Sequence, residues 1–460
     1  MSRRLAAALA MTALAGCSLA PAYQRPAAPV PPAFPQGDAY PLPAAGALPS
    51  LSYRDLFRDA RLQALIAQAF ANNRDLRIAA ANLAAARAQV RVTRAAQFPE
   101  VDASASATYR RGQGTSLALQ GGVSSFELDL FGRLANATAA QRERALASQS
   151  DARTVRIGLV ADLTNAWVDY AADHDLMVIA QDTVAAATKE VELTRLRLEG
   201  GIAPRTDLRQ AEQVLATAQQ DVALQKAALA QDENLIRLLV GASFDTALLP
   251  QGLAQIDGEF AALAPGTSSE VLLRRPDVEQ AEHQLKAANA DIGVARAELF
   301  PRISLTGLLG LASSALSSLF TGGAFTATAG ADASYSIFNA GGRRANVAVS
   351  EAQRNAALAT YEKAIQTAFR EVSDVLAVRG TIGDRLQAAH ANTEAAADTA
   401  RLTDLRYRGG IESFLANLDA QRSLYAARRQ EVAVRAAMLQ NMVELYRAVG
   451  ADTFAAGAGT

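Results

Sequence analysis

The sequence reads as a mainly helical fold with a small β part, built twice. Three observations give that class: a gapless internal repeat, four segments of alternation, and two very long helical stretches with seven-residue apolar spacing. Residues 75–99 and 277–301 align at an offset of 202 (Asp277 against Asp75), each ending in Phe-Pro just before an alternating segment. Leu83/Leu285, Val92/Val294, Arg94/Arg296, Phe98/Phe300 and Pro99/Pro301 coincide, more than shared alanine richness would supply. The copy continues through Leu196-Arg-Leu-Glu-Gly-Gly-Ile202 against Leu405-Arg-Tyr-Arg-Gly-Gly-Ile411. Such duplication suits a pseudo-symmetric wall better than a one-site catalyst.

The chain opens as an export signal over residues 1–16, with Arg3 and Arg4 as the positive start and a short apolar run too brief to span a bilayer. Leu14-Ala15-Gly16-Cys17 has the form of a lipobox, which makes Cys17, the sole cysteine, the expected lipidation site. Residues 17–50 carry a dense set of prolines and are expected to form an extended tether rather than a packed element. Loss of Arg3 and Arg4 takes the formal charge from −1 to −3, so no basic balance points to nucleic acid. No other stretch is apolar for the eighteen residues a transmembrane helix needs. Any crossing of a membrane must therefore use strands.

Two repeats follow, over 51–245 and 246–455, and each holds two strands. In the first, Val101, Ala103, Ala105, Ala107 and Tyr109 alternate with Asp102, Ser104, Ser106, Thr108 and Arg110, a period of two. The spacing predicts strands at about 101–112 and 116–131, with a bulge where the phase slips at Ser124 and Ser125. In the second repeat the strands fall at about 302–311 and 324–338. A soluble sheet with one wet face is the ordinary source of such alternation. Here the flanking helices carry their own coiled-coil seams, so the outward apolar face is read as lipid-facing. Four strands cannot close, and open edges are not tolerated in hydrocarbon. A dimer would give eight strands and a filled interior, a trimer twelve and room for water. A channel favours three copies.

Long helices are expected over 134–198 and 343–407, each about 100 Å at about 1.5 Å per residue. In the first, Leu163, Tyr170, Met177, Val184, Val191 and Leu198 recur every seven residues. Their companion position begins apolar at Val160 and Trp167 and turns polar at His174, Gln181, Thr188 and Arg195. Each long helix reverses at a Gly-Gly pair, Gly200-Gly201 or Gly409-Gly410, into a shorter helix. Catalysis has little support: the three histidines are far apart, and neither a phosphate loop nor a nucleophile elbow is present. His283 is expected to be solvated on a polar helix face. No cofactor or metal ligand set emerges, and Gly112-Gln-Gly114 reads as a strand-to-strand turn.

Several stretches together resemble the TolC-type outer membrane factors, most closely the lipoprotein branch (NodT-like) that serves resistance-nodulation-division efflux pumps. They are Gly16-Cys-Ser-Leu-Ala-Pro-Ala-Tyr-Gln-Arg-Pro26, Asn73-Arg-Asp-Leu76, Leu272-Leu-Arg-Arg-Pro-Asp277, Ile292-Gly-Val-Ala-Arg296, Leu299-Phe-Pro301 and Leu418-Asp-Ala-Gln-Arg422. The resemblance implies a homotrimer in the outer membrane of a Gram-negative bacterium, a twelve-stranded β-barrel continuous with a trimeric α-barrel tunnel. It implies a periplasmic adaptor and an inner-membrane transporter as partners. Ser18 after the lipobox implies transfer to the outer membrane, where lipid becomes a further partner. The pore mouth maps to Leu415 and Asp419, where three carboxylates would repel one another and draw cations. A second family carboxylate is replaced by Ala416. Asp207 and Tyr407 match a gate latch, although Glu412 stands where some relatives carry the pairing arginine. Gly200, Gly201, Ile202, Gly409, Gly410 and Ile411 match the tips that meet the adaptor. The implied function is a passive exit duct for drugs and small toxic compounds. The alternatives are a channel for protein secretion or heavy-metal efflux, and, from a different class, a lipid-tethered periplasmic coiled-coil scaffold.

Overall fold

The computed structural model describes residues 18–40, 52–112, 114–261 and 268–451. Eleven elements carry the architecture, and apart from the first helix they occur in the same order twice. The first repeat has α1 (Ala60–Asn72), α2 (Arg74–Ala95), β1 (Asp102–Arg110), β2 (Gly114–Glu127), α3 (Arg133–Glu199) and α4 (Arg205–Val240). The second has α5 (Pro276–Ala297), β3 (Arg302–Ser313), β4 (Phe325–Ser334), α6 (Gly342–Arg408) and α7 (Phe414–Val449). The long helices α3 and α6 are 67 residues each and the short ones α4 and α7 are 36 each, so the repeat holds to the residue. The chain divides into two compact units, and each draws segments from both repeats.

The first unit comprises residues 18–28 of the described chain, 80–151 and 277–364. Its sheet has the order β1-β2-β3-β4, antiparallel throughout. The register carries one apolar face across all four strands: Ala105 pairs Leu119, Leu119 pairs Leu311, and Leu311 pairs Phe325. Val123 pairs Gly307, then the register shifts, and Phe126 pairs Leu305. Two serines are thus absorbed in a bulge, which returns Phe126 to the apolar face that a straight count would take from it. β2 and β4 end at Glu127 and Ser334, short of the expected 131 and 338. In each case the turn into a long helix takes the difference. Gly132 has φ 72° at one, and Ala340, with Gly341 behind it, holds φ 51° at the other. The turn before α3 is clamped by the bidentate pair of Arg133 on Glu127, at 2.7 and 2.8 Å.

The described part of the proline-rich segment, residues 18–40, is extended but is not a free tether. Ser18 Oγ donates to Asn136 Oδ1 at 2.9 Å, the Asn289 amide donates to the Pro21 carbonyl at 2.7 Å, and Tyr23 and Arg25 both donate to Glu282. Gly293 makes this approach possible, because a Cβ there would stand 2.8 Å from Ala20 and 2.6 Å from the Asn136 amide. Extended proline-rich backbone has no internal hydrogen bonds to give up, so its carbonyls are free to accept from helix side chains. His283 is a second correction: its Nδ1 lies 2.7 Å from Glu143 Oε2, half-buried rather than solvated. The spacing of a single helix could not show the carboxylate that a neighbouring helix supplies.

The described residues of 29–79, 152–276 and 365–460 make up the second unit. Phe34 is buried and stacked on Phe369, with centroids 5.4 Å apart. The core gathers Phe57, Leu62, Leu65, Ile66, Leu163, Trp167, Ile236, Leu253, Ile256 and Tyr446, each almost wholly buried. The Trp167 indole donates to the Leu248 carbonyl at 3.0 Å, so its one polar atom is satisfied inside an apolar site. Two motifs from the sequence find physical reasons here. Asn73 caps α2 through Leu76 N and donates to the Leu239 carbonyl. The buried Arg275 guanidinium meets Glu371 at 2.8 Å and the Ala448 carbonyl at 2.6 Å.

Candidate functional site

The site lies in the second unit, where four helices meet at the two reversals. The α3 end is a Schellman cap: Gly201 N donates to the Leu198 carbonyl and Ile202 N to the Arg197 carbonyl, at 3.0 and 2.9 Å. The α6 end repeats it, with Gly410 N to Tyr407 and Ile411 N to Arg406. Gly201 and Gly410 hold φ 70° and 75°, the left-handed conformation this cap demands and glycine adopts without strain. Ile202 and Ile411 are 78 % and 71 % exposed. An isoleucine this exposed at the same place in both copies is an apolar knob without an occupant in the chain.

Beneath the tips, Val191 of α3, Leu208 and Ala211 of α4, Tyr407 of α6, and Phe414 and Leu418 of α7 form one buried cluster. Tyr407 and Phe414 have ring centroids 5.6 Å apart, and the Arg197 guanidinium lies 4.5 Å from the Tyr407 ring. Burial raises the Tyr407 hydroxyl above the usual tyrosine range. Burial also raises the Glu190 carboxyl, with Asp404 adding repulsion. Asp207 sits in the first turn of α4, where its carboxylate accepts only a long contact from Thr206 Oγ1 at 3.5 Å. Tyr407 thus takes its partner from Arg197 of α3, and Glu412 is held by Arg406 Nε at 3.2 Å. The structure does not bring Asp207 and Tyr407 into a shared hydrogen bond. Arg197 was not legible as a partner, since only the packing of α3 on α6 reveals it.

On α7 the burial alternates by face. Phe414 and Leu418 are buried while Leu415, at 54 % exposed, and Asp419 look outward one turn apart. Ser413 caps this helix, its Oγ accepting from Ala416 N at 3.1 Å. Arg422 continues the outward stripe and lies 3.9 Å from Asp419. A ring built from this stripe therefore carries an apolar residue, a carboxylate and a guanidinium, not carboxylates alone. Cys17 lies outside the described residues. Among the described residues, no group of three or more histidine, cysteine, aspartate and glutamate side chains is placed to hold a metal, and no helix is long and apolar enough to cross a membrane.

An apolar-faced sheet of four strands joined to paired long helices defines a channel-forming outer membrane protein. The family model described as "Outer membrane efflux protein" matches residues 65–242 and 267–451, and the chain belongs to that family. The toluene efflux pump outer membrane protein TtgC of Pseudomonas putida is 41 % identical over 96 % of this chain and 94 % of its own. The cation efflux system protein CusC of Escherichia coli is 36 % identical over 95 % and 97 %. The crystal structure of the open state of the Neisseria gonorrhoeae MtrE outer membrane channel superposes with a TM-score of 0.86 at 30 % identity, over 94 % of this chain and 98 % of MtrE. The chain is an outer membrane efflux channel protein.

Proposed function

We propose that three copies of the chain form the exit duct of a tripartite pump that moves drugs and other small toxic compounds from the periplasm to the exterior. The observation that carries this reading is the sheet: its apolar residues are in register across four strands, and β1 and β4 each leave one edge unpaired. Open edges facing lipid are costly in hydrocarbon, and joining copies edge to edge removes them. Twelve strands leave a water-filled lumen where eight would be plugged by side chains. The duct moves nothing by itself. An adaptor grips the exposed Ile202 and Ile411 with their glycine turns, and an inner-membrane transporter supplies the drive. Cys17 carries lipid, Leu415 and Asp419 line the mouth, and Arg197 on Tyr407 holds α3 to α6 beside it.

Solvent-like and drug-like cargo is favoured over metal cations because the toluene pump protein shares more identity with this chain than the cation system protein does. The test is complementation of a channel-deficient Gram-negative host carrying a drug transporter and its adaptor. Restored resistance to apolar antibiotics, lost when Gly410 becomes Trp while the trimer still assembles, supports the reading. Resistance restored to metal ions alone overturns the cargo assignment.

A further inference from the structure

The hairpin ends of the sheet, remote in chain order from the helix connections, have a charge pattern that the channel reading does not use. Between Ser104 and Gly122, and between Leu305 and Thr328, the only charged residues are Arg110 and Arg111. The carboxylates of the strands, Asp102, Glu127 and Asp332, all lie toward the other end. Both arginines are exposed, and neither has a partner among the described residues. The turn that carries them is short, with Gly112 and Gly114 at φ 88° and 83°.

Alternation along β1 assigns them different sides. Tyr109, 74 % exposed, belongs to the apolar face, and Arg111 follows it at the same phase just past the last strand residue. Arg110 belongs to the polar face. At the same end, the β3-β4 connection exposes Leu316 and Phe320 and begins β4 with the exposed Phe325. Aromatic rings of this kind settle at the boundary of the hydrocarbon, which puts Arg111 at headgroup level. A guanidinium there, with no carboxylate to satisfy it, suits a phosphate bidentately.

We propose that Arg111, flanked by Tyr109, binds the phosphomonoester of a glycolipid in the outer leaflet. The assignment rests on the reading that the hairpin ends face the exterior. That orientation is checked separately: Arg111→Cys in whole cells should react with a membrane-impermeant maleimide. Absence of labelling overturns the orientation and this proposal with it, while leaving conductance as the test of the channel.

The binding test uses the full-length trimer in neutral detergent, analysed by native mass spectrometry with added lipid A as the probe. Diphosphorylated lipid A should be retained about tenfold more strongly than its dephosphorylated form, a difference of the size one good phosphate contact gives. The variant Arg111→Ala should lose that preference while keeping trimer mass and conductance. Arg111→Lys should keep part of it, and raising the salt should weaken it in the wild type. Equal retention of both lipid forms, or full retention by Arg111→Ala, overturns the proposal. Phosphatidylglycerol bound as tightly as lipid A would show a general anionic-lipid surface, and full competition by inorganic phosphate a free-anion site. Either result also overturns it.

Discussion

Asp419 has Arg422 one turn further along α7, 3.9 Å away, and both side chains are more than half exposed. Exposed pairs of this kind contribute little to stability, so at the proposed mouth their importance lies in the field they set. Asp419→Asn should lower cation preference in planar bilayers, read as a shift of the reversal potential toward zero. Arg422→Gln should move it the other way. An unchanged potential in both would remove this stripe from the constriction. A second carboxylate site responds to pH. Asp232 of α4 is pushed up to about 7 by burial, then by the charges of Asp173 and Asp169 of α3. The neutral carboxyl is the form the fold prefers, so its stabilisation is complete below about pH 4. It declines as pH rises and is gone above about 7. The Tyr170 hydroxyl, raised by burial, also faces the Glu233 and Asp232 carboxylates, and the Gln440 amide donates to Asp169. Asp232→Asn should therefore raise the thermal midpoint most at pH 8 and hardly at all at pH 4, measured by scanning calorimetry.

The segment before the helices behaves as an element in its own right. Glu282 is nearly buried, and burial alone would raise its carboxyl. Hydrogen bonds from Arg25 and Lys286 outweigh that and hold it below the usual range. Arg25→Ala should cost about 1–3 kcal/mol, since one charged partner of a buried acceptor is lost while Lys286 remains. Phe34→Ala should cost about 3–5 kcal/mol through the cavity left against Phe369. Urea unfolding measures both, and values near zero would return the segment to a loose tether. Ala340→Gly should stabilise by about 1 kcal/mol, because a left-handed φ strains any side chain. These effects mark where the sequence was and was not legible. The 67-residue helices, the four strands and the Ser124-Ser125 bulge follow from periodicity, because period and phase are local properties. Likewise the tip caps follow from Gly-Gly. The docked segment was missed because proline composition reports backbone preference and not the remote Glu282, Asn289 and Gly293 that receive it. Arg197 on Tyr407 was missed for the same reason, a contact between residues 210 positions apart (Tyr407 against Arg197).

The proposed assembly rests on the sheet's two unpaired edges. A lone copy in lipid would expose every backbone donor and acceptor along the outer sides of β1 and β4, at several kcal/mol for each unsatisfied group. Hydrophobic packing cannot compensate, because lipid tails offer the same apolar surroundings to every copy. Closure is the remaining solution, and the number of copies sets the bore. Two copies give eight strands, a barrel just filled by its own side chains; three give twelve and an aqueous interior. The polar face supports the larger ring, since it is lined mainly by serine, threonine and glycine, with Asp102, Arg110, Glu127, Arg302 and Asp332 among them, too wet to pack a dry core. Sedimentation in density-matched detergent should give three chains per particle, and planar bilayers should show a conducting pore from the same fraction. The Cys17→Ser form, which could not take the proposed lipid, separates anchorage from insertion. If strands hold the protein, alkaline washing leaves it in the membrane; if lipid alone held it, washing releases it. Release as a water-soluble single chain would mean that the apolar face had found another cover, and that β1 and β4 need no neighbour.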